Sequence, residues 1–110
     1  MNRRTYLGEF EHLVLLAILT LGEEAHGMAI REELASRASR EVTRSAAYIT
    51  LERLVSKGYL EARMGEPSGK RGGRAKRFFK LAPAGRGALQ ESGRALMRMW
   101  AGHESLLEES

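Results

Sequence analysis

The sequence contains no cysteine and no aspartate, and these absences exclude several kinds of site. Without cysteine, the chain has no disulfide, no thiolate metal ligand and no thiol nucleophile. Its three histidines, His12, His26 and His103, fall on separate predicted elements, and neither a Ser/His/acid arrangement nor a metal-ligand spacing occurs. We therefore expect a protein that is not an enzyme and that binds no metal or cofactor.

Long hydrophobic runs are also missing. No stretch reaches the length of about 18 apolar residues that spans a bilayer, and no small-residue cleavage site follows the first apolar stretch. We expect a cytoplasmic protein without a membrane partner. With 110 residues, 43% of them hydrophobic, the chain can build one compact core, and one domain with an appended helix is the simplest organisation.

The basic charge is concentrated in one segment. Between Glu66 and Lys80 there are six lysines and arginines against Glu66 alone, a local charge of +5, whereas the whole chain carries +4. Such a patch suits an anionic partner, although charge runs are also common on solvated surfaces.

Apolar residues at steps of three and four predict three successive helices. The first covers residues 7–21, is apolar around most of its circumference and ends at Gly22. A shorter amphipathic helix follows from Met28, and a third begins after Thr43, a favourable N-cap residue, and ends at Gly58. We expect the first helix to be central, or to be covered partly by a second subunit.

Two short strands follow, in YLEARMG and AKRFFKLA, where apolar residues alternate with polar ones. The segment between them, EPSGKRGGR, is rich in glycine and cations. The sequence therefore predicts a β-hairpin with a long basic tip. Phe78 and Phe79 point to opposite faces of it, so that one of them anchors the hairpin to the core.

Pro83 suits the first position of a last helix. The apolar positions along that helix are Leu89, Leu96, Trp100, His103 and Leu107. This spacing forms a seam that packs against another helix, either in a second copy of the chain, which we favour, or in the chain's own first helix. We assign residues 1–82 to one domain and residues 83–110 to a C-terminal dimerisation helix.

Two helices joined by a turn and followed by a basic hairpin form a winged helix-turn-helix. The fold is thus mainly α with a small β-hairpin. The third helix begins with short or polar residues, Thr43, Arg44, Ser45, Ala46 and Ala47, which suit close approach to base edges in the major groove of DNA. Tyr48 can reach a phosphate or can be a half-buried packing residue.

In the wing, Lys70, Arg71 and Arg74 are expected to meet phosphates, and the glycines between them permit a tight tip.

The chain resembles the short members of the PadR family of transcriptional regulators, which have a single C-terminal helix. The matching stretches are LGEFEHLVLLAIL, HGMAIREEL, AAYITLERLVSKGYL and RGGRAKRFFKLAPAGRGAL. The resemblance implies a homodimeric bacterial transcription factor, usually a repressor, which binds an inverted repeat in double-stranded DNA and is released by a small molecule or another signal. Such a protein is associated with the nucleoid when it is bound to DNA.

The resemblance also assigns residues to roles. DNA recognition by the third helix and the wing carries over to Thr43, Arg44, Ser45, Tyr48, Arg53, Lys70, Arg71, Gly73, Arg74 and Lys76. Dimerisation carries over to Leu89, Leu96, Trp100, His103 and Leu107. In some relatives an aromatic residue of the last helix lines a flat cavity between subunits, and Trp100 is either the corresponding contact for a small aromatic effector or a plain dimer-core residue.

Three features depart from the family pattern. A glycine-alanine-leucine-tyrosine-proline run usually enters the third helix, whereas this chain has Ser45-Ala46-Ala47-Tyr48-Ile49. Ala82 replaces the usual capping Thr or Ser before Pro83, a loss of about 1 kcal/mol in typical cases. Phe78 and Phe79 replace paired wing tyrosines. We expect the fold to survive these changes.

Two other functions compete with DNA binding. Winged helices also serve as docking modules for proteins, a role that an apolar or acidic third helix would favour; Ile49 and Glu52 fit it, whereas Arg44, Ser45 and Tyr48 do not. Binding of single-stranded RNA would need an aromatic stacking surface, which is absent unless Phe78 is exposed.

Overall fold

The computed structural model describes residues 7–65 and 75–109, which form four helices and one hairpin. Their order is α1 (Glu9–Leu21), α2 (Gly27–Ala38), α3 (Arg44–Ser56), β1 (Leu60–Met64), β2 (Arg77–Leu81) and α4 (Pro83–Trp100), with short 3₁₀ segments at Gly22–Glu24 and Glu104–Glu108. The predicted mainly α fold with a two-stranded antiparallel hairpin is confirmed.

Helix α1 lies at the centre of the fold. Val14, Leu15 and Ile18 are almost fully buried, and the helix contacts α2, α3, α4 and β2. Because partners surround it, most of its circumference is apolar, as the sequence indicated. Leu16 and Leu19 remain 39% and 46% exposed, so the described residues leave one strip of α1 partly uncovered.

A buried carboxylate connects the start of α1 to the end of α3. Glu11 accepts the Gly8 backbone N–H at 3.0 Å and pairs with the Lys57 ammonium at 3.0 Å. Burial alone would raise the pKa of Glu11, but these two partners outweigh it and hold the pKa below its ordinary value. The charged form is therefore the one that stabilises this junction.

The hairpin is attached to the helices by its second strand. β1 and β2 pair antiparallel, with Leu60 opposite Leu81 and Met64 opposite Arg77. The Phe79 N–H donates to Ala25 O at 2.9 Å, and the Phe79 side chain is 4% exposed within the core. Phe79 is thus the phenylalanine that anchors the hairpin, which confirms that one of the pair does so.

Helix α4 begins in direct contact with the backbone before β1. The Ala82 N–H donates to Tyr59 O at 3.0 Å, and a Cβ placed on Gly85 would lie 2.0 Å from that same oxygen. The helix packs on α1 through Leu89 and ends at Trp100. It does not continue to Leu107 as the apolar spacing suggested, because Gly102 adopts a φ of 90° and the chain turns there before the last 3₁₀ segment.

Candidate nucleic-acid interface

The solvent-facing side of α3 carries the predicted base contacts. The buried residues of this helix, on its opposite side, are Ala47, Thr50, Leu51 and Leu54. Arg44 and Ser45 are exposed in the first turn, and Tyr48 is 55% exposed. Arg53, in the last turn, is exposed as well. Among the described residues, Tyr48 therefore projects from the domain and is not buried by packing.

Thr43 fixes the beginning of α3. Its Oγ1 accepts the Ala46 N–H at 3.1 Å, which satisfies a donor that the first helical turn leaves free. The preceding turn is held by Arg31, whose Nε donates to Val42 O at 2.9 Å. These contacts orient the first turn, where Arg44 and Ser45 lie.

An ion pair joins the base of the wing to α3. Arg77, the first residue of β2, pairs with Glu52 on the exposed side of α3. The Arg77 guanidinium also lies 5.3 Å from the centroid of the Phe79 ring. Because Phe79 is in the core, this arrangement ties the base of the wing and α3 to one another and to the body of the domain.

A second cation–aromatic contact covers Phe78. The Arg63 guanidinium lies 4.6 Å from the Phe78 ring centroid, and the His26 ring meets it edge-on at a centroid distance of 5.6 Å. His26 in turn caps α2, since its Nδ1 accepts the Ala29 N–H at 3.4 Å. With both neighbours in place, Phe78 is half-buried and does not offer a free stacking face for a base.

The wing itself is described only at its base. Lys76 is exposed there, and Lys80 pairs across the strands with Glu61 at 3.5 Å. The predicted DNA-binding residues Lys70, Arg71, Gly73 and Arg74 lie outside the described residues, as does the rest of the basic tip.

Two residues at the middle of the exposed α3 face, Ile49 and Glu52, were considered from the sequence for protein docking and were not included among the predicted DNA contacts. Ser45, Ile49, Glu52 and Ser56 follow one another at steps of four, three and four, which places them in one stripe opposite the buried residues. Ile49 is 57% exposed and Glu52 is engaged by Arg77.

The predicted dimer seam is divided between the core and the surface. Leu89 is 8% exposed and packs within its own chain, and Trp100 is half-buried at the end of α4. Leu96 is 49% and Leu107 68% exposed, and His103 is exposed in the turn after the helix. Met97 and Met99, which were not part of the predicted seam, are 72% and 77% exposed. The second half of α4 therefore presents apolar side chains to solvent.

A groove of about 610 Å³ runs beside the contact between α1 and α4. His12, Leu89, Gly93, Leu96 and Met97 are among its lining residues. His12 Nδ1 and Ser92 Oγ share a hydrogen bond at 2.7 Å, and burial lowers the pKa of His12 from its ordinary value. The first half of α4 thus packs on α1, which is one of the two alternatives that the sequence left open, and the groove lies along the edge of that contact.

The described part of the chain offers neither a metal site nor a membrane span. Among residues 7–65 and 75–109, no three His, Cys, Asp or Glu side chains are grouped where they could hold a metal ion. None of the described helices is both long enough and apolar enough to cross a bilayer.

Comparison with known proteins identifies the family. Residues 15–91 match the model of the transcriptional regulator PadR-like family. A Mycobacterium tuberculosis protein named transcriptional regulator Rv3488 is 41% identical over 75 residues, which cover 66% of this chain and 64% of that protein. The match thus spans slightly less than two thirds of the relative's length.

Solved structures share the fold at lower identity. A PadR-like regulator from Bacillus cereus superposes with a TM-score of 0.70 at 18% identity, covering 92% of this chain and 93% of the other. Bacillus subtilis PadR in complex with operator DNA gives a TM-score of 0.63 at 19% identity over 74% of this chain and 46% of that one. Because the family model matches residues 15–91, which are more than half of the chain, this chain belongs to the PadR-like family of transcriptional regulators.

Proposed function

We propose that this regulator is a homodimer that binds an inverted repeat in double-stranded DNA and represses transcription until a signal releases it. The observation that carries the proposal is the Arg77–Glu52 ion pair, which holds the base of the wing beside the exposed face of α3. With the base of the wing anchored there, α3 can enter the major groove while the wing follows the neighbouring sugar-phosphate backbone. Such a protein acts in the cytoplasm, on the DNA of the nucleoid.

The chemistry of the two elements supports a division of roles. Arg44, Ser45 and Tyr48 are exposed on the first half of α3 and can donate hydrogen bonds to bases or phosphates. Thr43 orients that turn, Arg53 adds positive charge in the last turn of α3, and Lys76 adds it at the base of the wing. Lys70, Arg71 and Arg74 are assigned to phosphate contacts from the sequence, and Gly73 is assigned to the DNA-binding wing from the family resemblance. The Bacillus subtilis relative, which was solved on operator DNA, supports the same partner for this chain.

The exposed apolar side chains of α4 and α1 support the dimer. Leu96, Met97, Leu16 and Leu19 are all more than a third exposed, which is unfavourable in water unless another surface covers them. An α4 helix from a second copy fits the groove beside His12 and covers Leu96 and Met97. In this arrangement Trp100, His103 and Leu107 lie at the subunit contact, whereas Leu89 supports it from within its own chain.

Trp100 is the candidate contact for a small aromatic effector. It is half-buried at the end of α4, next to the exposed Met99, and a flexible thioether adapts readily to a planar ligand. Titrating planar aromatic compounds against Trp100 fluorescence tests the assignment. Quenching by compounds that also weaken DNA binding supports it, and the absence of quenching by every such compound contradicts it.

A protein-docking module is the second candidate, because Tyr48 and Ile49 expose apolar surface on α3. The acidic residue that would favour docking, Glu52, is however already engaged by Arg77. Lys76 and the cationic segment before it also suit a polyanion better than an apolar partner.

Selection of bound fragments from the sheared genome of the source organism tests the proposal. The expected result is enrichment of a short inverted repeat, with affinity that falls steeply as salt rises. Binding without enrichment would leave an architectural or docking role, and the absence of DNA binding would contradict the proposal altogether.

A further inference from the structure

The stripe of α3 that points directly away from the core has an apolar residue at its centre. Ile49 lies one turn after Ser45 and three residues before Glu52, on the side opposite the buried Leu51 and Leu54. Its side chain is 57% exposed, so it makes little contact within its own chain. A β-branched side chain also has few rotamers on a helix, so this apolar surface is held in a nearly fixed direction.

The surroundings of Ile49 suit a nucleic acid. Arg44 and Arg53 are exposed on the same helix, towards its two ends. The one acidic side chain in the stripe, Glu52, is paired with Arg77 and presents no free negative charge to a phosphate backbone. The local charge is complementary to DNA, and the apolar area of Tyr48 and Ile49 is small for a protein interface.

We propose that Ile49 determines specificity by packing against the C5-methyl group of a thymine in the major groove, an inference that rests on the proposed function. Thymine is the base that presents a methyl group there, and an isoleucine side chain can neither donate nor accept a hydrogen bond. Ser45, one turn earlier, faces an adjacent base pair, so that hydrogen bonding and methyl recognition alternate along the stripe. Each half-site then requires a thymine at the position that Ile49 contacts.

Replacement of single thymines by deoxyuridine tests this inference, because the substitution removes only the methyl group. Each thymine of the selected duplex is replaced in turn, and affinity is measured by fluorescence anisotropy for the wild type and for Ile49→Ala. At one position per half-site, the wild type should lose about fourfold in affinity, the loss expected when one methyl group is no longer buried. Ile49→Ala should bind the thymine and deoxyuridine duplexes equally.

Two further variants serve as controls. Met64→Ala removes an exposed apolar side chain from β1, and it should retain the full preference for thymine. Ile49→Val keeps the β-branch and should retain part of the preference. Circular dichroism of Ile49→Ala should show an unchanged helix content, since the side chain packs little against the rest of the domain.

The outcomes separate this inference from the function on which it rests. The inference is supported if replacing one thymine by deoxyuridine lowers the affinity of the wild type and of Met64→Ala but not that of Ile49→Ala. The inference is overturned if no replacement of a thymine lowers the affinity, or if every such loss of affinity is also seen with Ile49→Ala. Sequence-specific binding itself would stand in either case. If the wild type prefers no duplex over another, the proposed function fails and this inference fails with it.

Discussion

Gly85 and Gly87 both lie near the start of α4, but only Gly85 is closely surrounded by other atoms. A Cβ on Gly85 would lie 2.0 Å from Tyr59 O, whereas nothing lies within 4 Å of one on Gly87. The carbonyl oxygen of Tyr59 would obstruct a side chain at Gly85, and the same oxygen accepts the Ala82 N–H. A shift of Tyr59 would therefore weaken the hydrogen bond at the start of α4. The close approach of α4 to the segment before β1 thus depends on one missing side chain.

We therefore expect Gly85→Ala to lower the free energy of unfolding by about 1–3 kcal/mol, the usual cost of overpacking. Gly87→Ala is the matched control and should raise it by up to about 1 kcal/mol, because alanine favours the helix. Urea denaturation of both variants measures the difference. Equal stability of the two variants would show that α4 does not approach Tyr59 this closely.

His12 makes the contact between α1 and α4 sensitive to pH. Burial lowers its pKa below 6.5, so in the interval beneath 6.5 the unfolded chain binds a proton that the folded chain does not. The stability that neutral His12 contributes is consequently present above pH 6.5 and is lost as pH falls below it. Glu11 also has a lowered pKa, but its contribution is lost only below its ordinary value of 4.5.

Thermal unfolding between about pH 7.5 and 5.0 tests this reasoning for His12. The wild type should lose a few degrees of Tm relative to His12→Gln, which keeps a hydrogen-bonding side chain beside Ser92 but does not titrate in this range. Parallel curves for the two proteins would contradict a buried, neutral His12.

At the scale of elements, local patterns predicted the parts and missed the contacts that join them. Apolar residues at helical spacing, the Thr43 cap and the alternation around Phe79 predicted α1 to α3 and the hairpin, because these signals depend on neighbours in sequence. The Arg77–Glu52 pair joins residues far apart in sequence, and no local pattern indicates it. The end of α4 was missed because the apolar spacing continues to Leu107, although Gly102 turns the chain first.

Helix α3 and the wing should respond differently to mutation. Arg71→Ala combined with Arg74→Ala should weaken binding to every duplex and make the salt dependence shallower, by about 0.9 in the logarithmic slope for each phosphate that is no longer neutralised. Substitution of Arg44 or Ser45 should instead change which sequence is preferred. Anisotropy titrations of both sets against matched and mismatched duplexes provide the comparison, and identical behaviour would refute the division of roles.

At the scale of the whole molecule, residues 7–65 and 75–109 leave apolar surface exposed on α1 and on the second half of α4. The sequence predicted an apolar seam along α4, but it could not indicate which residues of that seam pack within the chain's own core. Leu89 turned out to lie within the core, because the first half of α4 packs on α1, and Leu96 remained at the surface. The uncovered part is the part available to a second copy.

Leu96→Glu should therefore dissociate the dimer, since it places a charge in the surface that we propose the partner covers. The expected shift is about tenfold or more in the dimer dissociation constant, measured by analytical ultracentrifugation. Met28→Glu changes an exposed side chain on α2 and should leave the mass unchanged. A wild-type protein that sediments as a monomer at all concentrations would contradict the dimer.

The central claim is that this chain recognises a DNA sequence through α3 and the wing. The most direct measurement is the ratio of the affinities for a selected inverted repeat and for a shuffled duplex of the same composition, at about 150 mM salt. Our account predicts a ratio of roughly 10³ or more, as for other specific DNA-binding proteins. A ratio near one would contradict it, because the basic wing would then bind the backbone while α3 distinguished no bases.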